Sequence, residues 1–137
     1  MKHGLNTDDL DNPAAAPLLH QATTQEIIGS AFEVYHVLGY GFLERVYQRA
    51  LQTELLRRGV SAEIEHRIAV AYKGVNVGDY AADLFVDGKV IVELKVAAEY
   101  NSSDEAQLLN ELKATGSKVG LLINFGRRKV EFRRFVF

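Results

Sequence analysis

The stretch "ADLFVDGKVIVELKV", residues 82–96, holds two apolar runs around an Asp-Gly pair and is interrupted by three charged residues, Asp83, Glu93 and Lys95. Its period of two predicts a pair of antiparallel strands. The even positions Leu84, Val86, Val90, Val92, Leu94 and Val96 are all apolar, so both strands turn their even residues to one core face. Cross-strand neighbours lie on the same side of a sheet, and partners whose numbers share parity need a loop with an odd number of residues. The spacing therefore predicts a three-residue connection, a type I turn followed by Gly88 in the left-handed conformation as a bulge, in place of a two-residue Asp-Gly turn. The odd positions then share the opposite face. Asp83, Glu93 and Lys95 become neighbours there, and Phe85 and Ile91 on the same side predict that this face is partly covered.

Two carboxylates on adjacent strands suit a hard divalent cation, which prefers carboxylate oxygens and keeps waters for a substrate phosphate. A lysine two residues after the second acid points to the same side, where it can stabilise charge developing on a phosphate or orient an attacking water. A plain polar face with incidental ion pairs has the same residue pattern, so spacing alone leaves both open. The four histidines, His3, His20, His36 and His66, show no ligand spacing.

Outward from this hairpin the elements follow from periodicity and punctuation. "TTQEIIGSAFEVYHVLG", residues 23–39, is predicted to be a helix: Thr23 and Glu26 have the spacing of a capping box, Ile27, Ala31, Val34 and Leu38 recur at helical intervals, and Gly39 sits where a left-handed cap belongs. "GFLERVYQRALQTELLRRG", residues 41–59, is a second helical run, with Leu43, Val46, Tyr47, Ala50, Leu51 and Leu55 on one side and Gly59 as its stop. Arg57 and Arg58 suit the dipole at its end. "EIEHRIAVAY" then begins a three-stranded antiparallel meander that the opening stretch completes, with a turn at Lys73-Gly74. "SSDEAQLLNELKATG" returns to helix, capped by Ser102 or Ser103 and ended by Gly116. "KVGLLINFG" is nearly continuous in apolar residues, as a strand covered on both faces would be, and "RKVEFRRFVF" adds a last strand. The predicted order is ααβββαββ, a mixed α/β fold. Residues 1–22 are expected to form a loosely held arm and residues 23–137 the domain.

Composition narrows the chemistry. The chain has 137 residues, 47% hydrophobic and 25% charged, which suits one globular domain. With no cysteine there is no disulfide, no thiolate nucleophile and no cysteine-ligated metal. The first twenty residues lack a signal-peptide core and no later run reaches the length of a membrane span, so a soluble cytoplasmic protein is expected. A net charge of −2 gives no overall pull toward nucleic acid, so a polyanion would be met by a local patch or through a metal. "GRRKVEFRRFVF", with Arg127, Arg128, Lys129, Arg133 and Arg134, is the one basic cluster, and it fits either phosphate contact or a solvated edge.

Asp83 followed ten positions later by Glu93-Leu94-Lys95 resembles the PD-(D/E)XK nuclease superfamily. "GFLERVY", Gly41 to Tyr47, matches the pattern that names the GxxExxY family, which looks like that superfamily, and "VIVELKV", "AQLLNELKATG" and "KVGLLINFG" follow in the family's order. The resemblance implies a restriction-endonuclease-like core: a mixed sheet with an antiparallel three-strand meander, flanked by helices. It implies Asp83 and Glu93 as ligands of Mg2+ or Mn2+, the main-chain carbonyl of Leu94 as a third, and Lys95 as the catalytic lysine. Glu44 would join from the second helix as a further or water-mediated ligand, and Gln107 matches a glutamine that many of these nucleases carry on the next helix. One position departs: where the family commonly has "LNYLKATG", this chain has Glu111 in place of the tyrosine, one helical turn from Gln107.

Two functions are compatible with these residues. The first is a metal-dependent phosphodiesterase acting on nucleic acid, DNA before RNA, with a homodimer as the form able to cut both strands. The second is a nuclease-like binding or interaction module that no longer cuts. Tyr47 is expected to pack in the core and not to act as a catalytic phenol.

Overall fold

A computed structural model describes residues 18–137. The expected arm lies almost entirely outside the described residues. Helix α1 runs Gln21–Leu38 and α2 runs Glu44–Arg57. Strands β1 (Ala62–Tyr72), β2 (Val75–Val86) and β3 (Val90–Lys95) form the antiparallel meander. A 3-10 turn, Ser102–Asp104, leads into α3 (Glu105–Thr115), and the chain closes with β4 (Val119–Phe125) and β5 (Val130–Val136). The sheet order is β1-β2-β3-β4-β5, with β4 parallel to β3 across the α3 crossover and β5 antiparallel to β4. This is the expected mixed α/β architecture, a restriction-endonuclease-like sheet flanked by helices.

The sheet separates two cores. On one side α1 and α2 bring Ile27, Ala31, Val34, Tyr47, Leu51 and Leu55 against Leu84, Val86, Val90, Val92 and Leu94. These are the even residues of the opening stretch. On the other side Leu108 and Leu112 of α3 meet Ile91, Leu122, Phe135, Ile68 and Ala82. Each fully buried Leu or Ile there contributes roughly 1.5–3 kcal/mol relative to exposure. Because helices cover both faces, every residue of β4 is buried, as its continuous apolar run predicted. Gly120 lets α3 sit close to the sheet, since a Cβ there would lie 2.8 Å from Leu108 Cδ1.

The register is as the parity argument required: Leu84 faces Val92, Phe85 faces Ile91 and Val86 faces Val90, leaving Asp87, Gly88 and Lys89 as the connection. The turn type differs from the expected one. Asp87 and Gly88 both have positive φ, 56° and 62°, and the Lys89 N–H donates to Val86 O at 3.0 Å. That is the sign pattern of a type I′ turn, which matches strand twist and which Asp-Gly adopts readily. The odd residue of the loop is thus Lys89, placed after the turn.

Four local expectations are corrected. Helix α1 starts at Gln21, ahead of Thr23, and the capping box is not formed: the Thr23 hydroxyl donates to Asp87 Oδ2 at 3.3 Å instead, tying the helix to the β2–β3 turn. Leu43 and Val46 are exposed, because α2 begins only at Glu44 and its inward side is carried by Tyr47, Leu51 and Leu55. Neither Ser102 nor Ser103 caps with its side chain; Asn101 Oδ1 accepts from the Ser103 N–H at 2.9 Å, and α3 follows from that turn. The basic cluster does not act as one patch, since Arg134 is buried and donates to Leu19 O while Arg133 pairs with Glu105 at 3.3 Å.

Candidate metal centre

The meander opens where the acids lie. Pairing of β2 with β3 ends at Leu84–Val92, and the next residue outward on β2 is Asp83. Its carboxylate takes the place of a ladder carbonyl, with Oδ2 accepting from the Leu94 N–H at 2.7 Å. A residue's N–H and C=O leave a strand on the same edge, so the Leu94 carbonyl also faces the gap that β2 has vacated. Opposite Asp83 on β1, Glu65 has a left-handed backbone, φ 54°, which a non-glycine residue adopts in a strand only at some cost. The two strands change sides here. Ala82 and Ile68 beyond the break pack under α3, whereas Leu84 and Ala62 pack under α1 and α2.

Helix α2 supplies the fastening. Gln48, buried in its second turn, donates through Nε2 to the Asp83 main-chain carbonyl at 3.0 Å and to Glu65 Oε1 at 3.2 Å. Tyr47 beside it is wholly buried, stacks on Phe125 with ring centroids 4.4 Å apart, and donates its hydroxyl to Gly39 O while accepting from the Phe42 N–H. It therefore acts as a packing residue, as expected, and its hydroxyl holds the α1–α2 connection that presents Glu44. Sequence reading missed Gln48 and Glu65, which neighbour the acids only through long-range packing; the sole local signal was Gln48 directly following Tyr47.

Asp83 on β2 and Glu93 and Lys95 on β3 belong to the sheet, whereas Glu44 and Gln107 come from the helices α2 and α3. Glu44 stands exposed at the start of α2, near enough to Asp83 and Lys95 for their charges to act on it. Asp83 and Glu93 are near enough to act on each other's protonation, and Glu111 of α3 acts on Glu93 as well. Lys95 is half-buried, with Nζ 3.8 Å from Asp104 Oδ1, an acid that was not singled out from sequence. Gln107 does not reach Asp83 or Glu93; its Nε2 donates to Glu111 Oε2 at 3.1 Å.

The electrostatics are those of acids crowded out of water. Burial raises the pKa of Asp83, opposed by the hydrogen bond from Leu94 and by Lys95. Burial raises Glu93 much further, and the Glu111 and Asp83 carboxyls beside it push the same way. Glu44 is raised by partial desolvation and by Asp83, with Lys95 opposing. Among the described residues none of Asp83, Glu93, Glu111 or Glu44 has an ion-pair partner within 4 Å, while Glu93 Oε2 and Glu111 Oε1 are buried with no hydrogen-bond partner. Buried carboxylates left in this state are costly unless a proton or a cation joins them.

A hard divalent cation fits this donor set. Asp83, Glu93 and the Leu94 carbonyl offer only oxygens, and Mg2+ is commonly held by one or two carboxylates with waters completing its shell. Among the described residues no three Asp, Glu or His groups already ring one point, so the cradle is an open pair of acids and not a closed cage.

A mixed sheet covered by helices on both faces is a restriction-endonuclease-like fold. The chain belongs to the PD-(D/E)XK nuclease superfamily, whose family model matches residues 21–135. No curated protein matches the sequence. Among solved structures, the crystal structure of SSO0001 aligns with a TM-score of 0.51 at 16% identity, covering 85% of this chain. The chain spans 59% of the length of that protein, and the likeness is one of fold. No helix among the described residues is long and apolar enough to cross a membrane.

Proposed function

We propose that the protein is a metal-dependent phosphodiesterase acting on nucleic acid, a GxxExxY member of its superfamily, with residues 23–137 as the working domain. The observation that carries this reading is the half-buried Asp83 beside the buried Glu93 at the gap between β2 and β3, with an unpartnered Glu93 oxygen and Lys95 on the same side. Asp83, Glu93 and the Leu94 carbonyl would hold Mg2+ or Mn2+. When bound, such an ion supplies a Lewis acid for phosphate oxygens. Lys95 places an ammonium where charge accumulates on the phosphate, and Asp104 steadies it without burying it. Glu44, exposed at the rim, accepts a proton from an incoming water or holds that water in line. Gln107 makes no direct contact in this step and serves to orient Glu111. DNA is preferred over RNA as substrate, a homodimer as the cutting form and the cytoplasm as location.

The test is a titration of Mg2+ and Mn2+ against single- and double-stranded DNA and RNA. Cleavage should require the metal and fall by about 10²–10³-fold or more in Asp83→Ala and Lys95→Ala. A protein that binds no divalent metal, or cleavage indifferent to both substitutions, would overturn the reading. The non-cutting module is the second reading, and Glu111 favours it, because a buried carboxylate against Glu93 opposes an anionic substrate. Metal-dependent cleavage lost in Lys95→Ala would exclude it.

A further inference from the structure

The end of the sheet that carries Lys95 is bordered by two surfaces that cleavage itself does not use. The first is the α1–α2 connection. Tyr40, Phe42 and Leu43 run directly into Glu44 and are 40%, 46% and 77% exposed, and Val46 adds to them from the first turn of α2. Large apolar side chains gathered in one exposed segment mark a contact surface. The segment is firmly held: the Tyr47 hydroxyl donates to Gly39 O and accepts from the Phe42 N–H at 3.3 Å, and the Phe42 ring meets the Tyr47 ring edge-on with centroids 6.2 Å apart.

The second surface is the β4–β5 turn. Arg127, Arg128 and Lys129 are exposed there, and none has an ion-pair partner within 4 Å among the described residues. Glu99 and Glu131 line the same hollow, of about 390 Å³, so the cations outnumber the acids. This turn is fastened as well. The Gly126 N–H donates to Lys129 O at 3.0 Å, the Arg127 N–H to Ala98 O at 3.2 Å, and the Tyr35 hydroxyl of α1 to Gly126 O at 2.7 Å.

Both surfaces border the same end of the sheet. Lys95, the last residue of β3, lies beside Asn124 in the parallel register, and Phe125 and Gly126 lead from there into the basic turn. The rings of Phe42, Tyr47 and Phe125 form a chain from the α1–α2 segment to that strand end. On α2, Gln48 reaches the Asp83 carbonyl, and Glu44 stands one helical turn before it on the same side.

We propose that this end of the sheet binds an unpaired nucleic-acid strand, with bases stacked on Tyr40 and Phe42 and packed on Leu43, and backbone phosphates on Arg127, Arg128 and Lys129. The proposal rests on the reading of the metal centre as a phosphodiesterase site, and it names a single-stranded segment as that site's substrate. In an unpaired strand the base faces are open to aromatic side chains, whereas in a duplex they stack on one another and only their edges reach the grooves. Cations alone would suit either form. The apolar segment at the opposite border selects the unpaired one.

The experiment measures binding of the full-length protein to a short labelled DNA strand, and to the same sequence as a duplex, by fluorescence anisotropy in EDTA, so that the readout needs neither metal nor cleavage. The single strand should bind roughly tenfold or more tightly than the duplex. Tyr40→Ala and Phe42→Ala should each weaken single-strand binding by roughly fivefold or more and leave duplex binding unchanged, while Tyr40→Phe, which keeps the ring, should bind as wild type. Replacing Arg127, Arg128 and Lys129 together by Gln should reduce the slope of log affinity against log salt by about 2. Circular dichroism and thermal unfolding identify any variant that fails to fold. Equal affinity for the two forms, or single-strand binding indifferent to Tyr40→Ala and Phe42→Ala, would overturn the strand site, and metal-dependent cleavage of duplex would then leave the phosphodiesterase reading standing. Self-association lost in Tyr40→Ala with strand binding unchanged would also overturn it and assign the surface to a second copy of the chain. Single-strand preference in a protein that cleaves nothing would uphold the strand site and overturn the phosphodiesterase reading alone.

Discussion

The two faces of the sheet are built from the same strand and behave as opposites. From β3, Val90, Val92 and Leu94 enter an apolar core under α1 and α2, whereas Ile91, Glu93 and Lys95 turn to the α3 side, where two of the three are ionisable. The first face gains stability by excluding water from hydrocarbon. The second carries acids that burial disfavours, and its apolar residues, Ile91, Leu108, Leu112, Leu122 and Phe135, have to hold them in place. The contrast teaches that a strand buried on both sides can split its duties by parity, one residue for the core and the next for chemistry.

The largest expected effect breaks the first face. Leu94→Ala removes a fully buried side chain and should cost about 2–5 kcal/mol in urea unfolding. Were the loss no larger than that of an exposed position, the assignment of the faces would be wrong. Next in size is the seating of α3 on the second face. Gly120→Ala places a Cβ against Leu108 and should cost about 1–3 kcal/mol by the same measurement.

The smallest effect sharpens the contrast through pH. Glu93 has a folded pKa above its ordinary value of 4.5, so the native state holds more protons than the unfolded chain above that pH. Its contribution to stability is fully present below 4.5 and is lost as pH rises, across neutrality, toward the raised folded value. The metal-free protein should therefore lose stability from mildly acidic to mildly basic pH, with Asp83 and Glu44 adding in the same direction. Glu93→Gln should flatten the slope, and Mg2+ should offset it most at high pH. A metal-free stability that rises over this range would contradict the burial of Glu93.

Much of this was legible in the chain. The parity of Leu84 to Val96 contained the register, and with it the meeting of Asp83, Glu93 and Lys95, because alternation along a strand is a local property. The continuous run of β4 and the glycines after each helix were readable for the same reason. What the sequence hid arises from contacts between distant segments. Gln48 meets Asp83 only after α2 has packed on the sheet, and Glu65 takes its left-handed backbone only where β1 and β2 change sides. The Thr23 capping box failed because a competing acceptor, Asp87, comes from 64 residues away. Glu111 was noticed as a departure, but its burial against Glu93 depends on how closely Gly120 admits the helix.

The change of sides at Glu65 and Asp83 has a consequence for how this molecule could be altered. Beyond it β1 and β2 pair only with each other, out to a two-residue turn at Lys73-Gly74, where Tyr72, Val75 and Val77 are exposed. Residues grafted at that tip would be joined to the rest through a ribbon whose root is already pinned by Gln48. A peptide tag, a reporter domain or a longer targeting loop inserted there should leave the acids undisturbed, which makes the hairpin tip the natural socket for giving this small protein a new address.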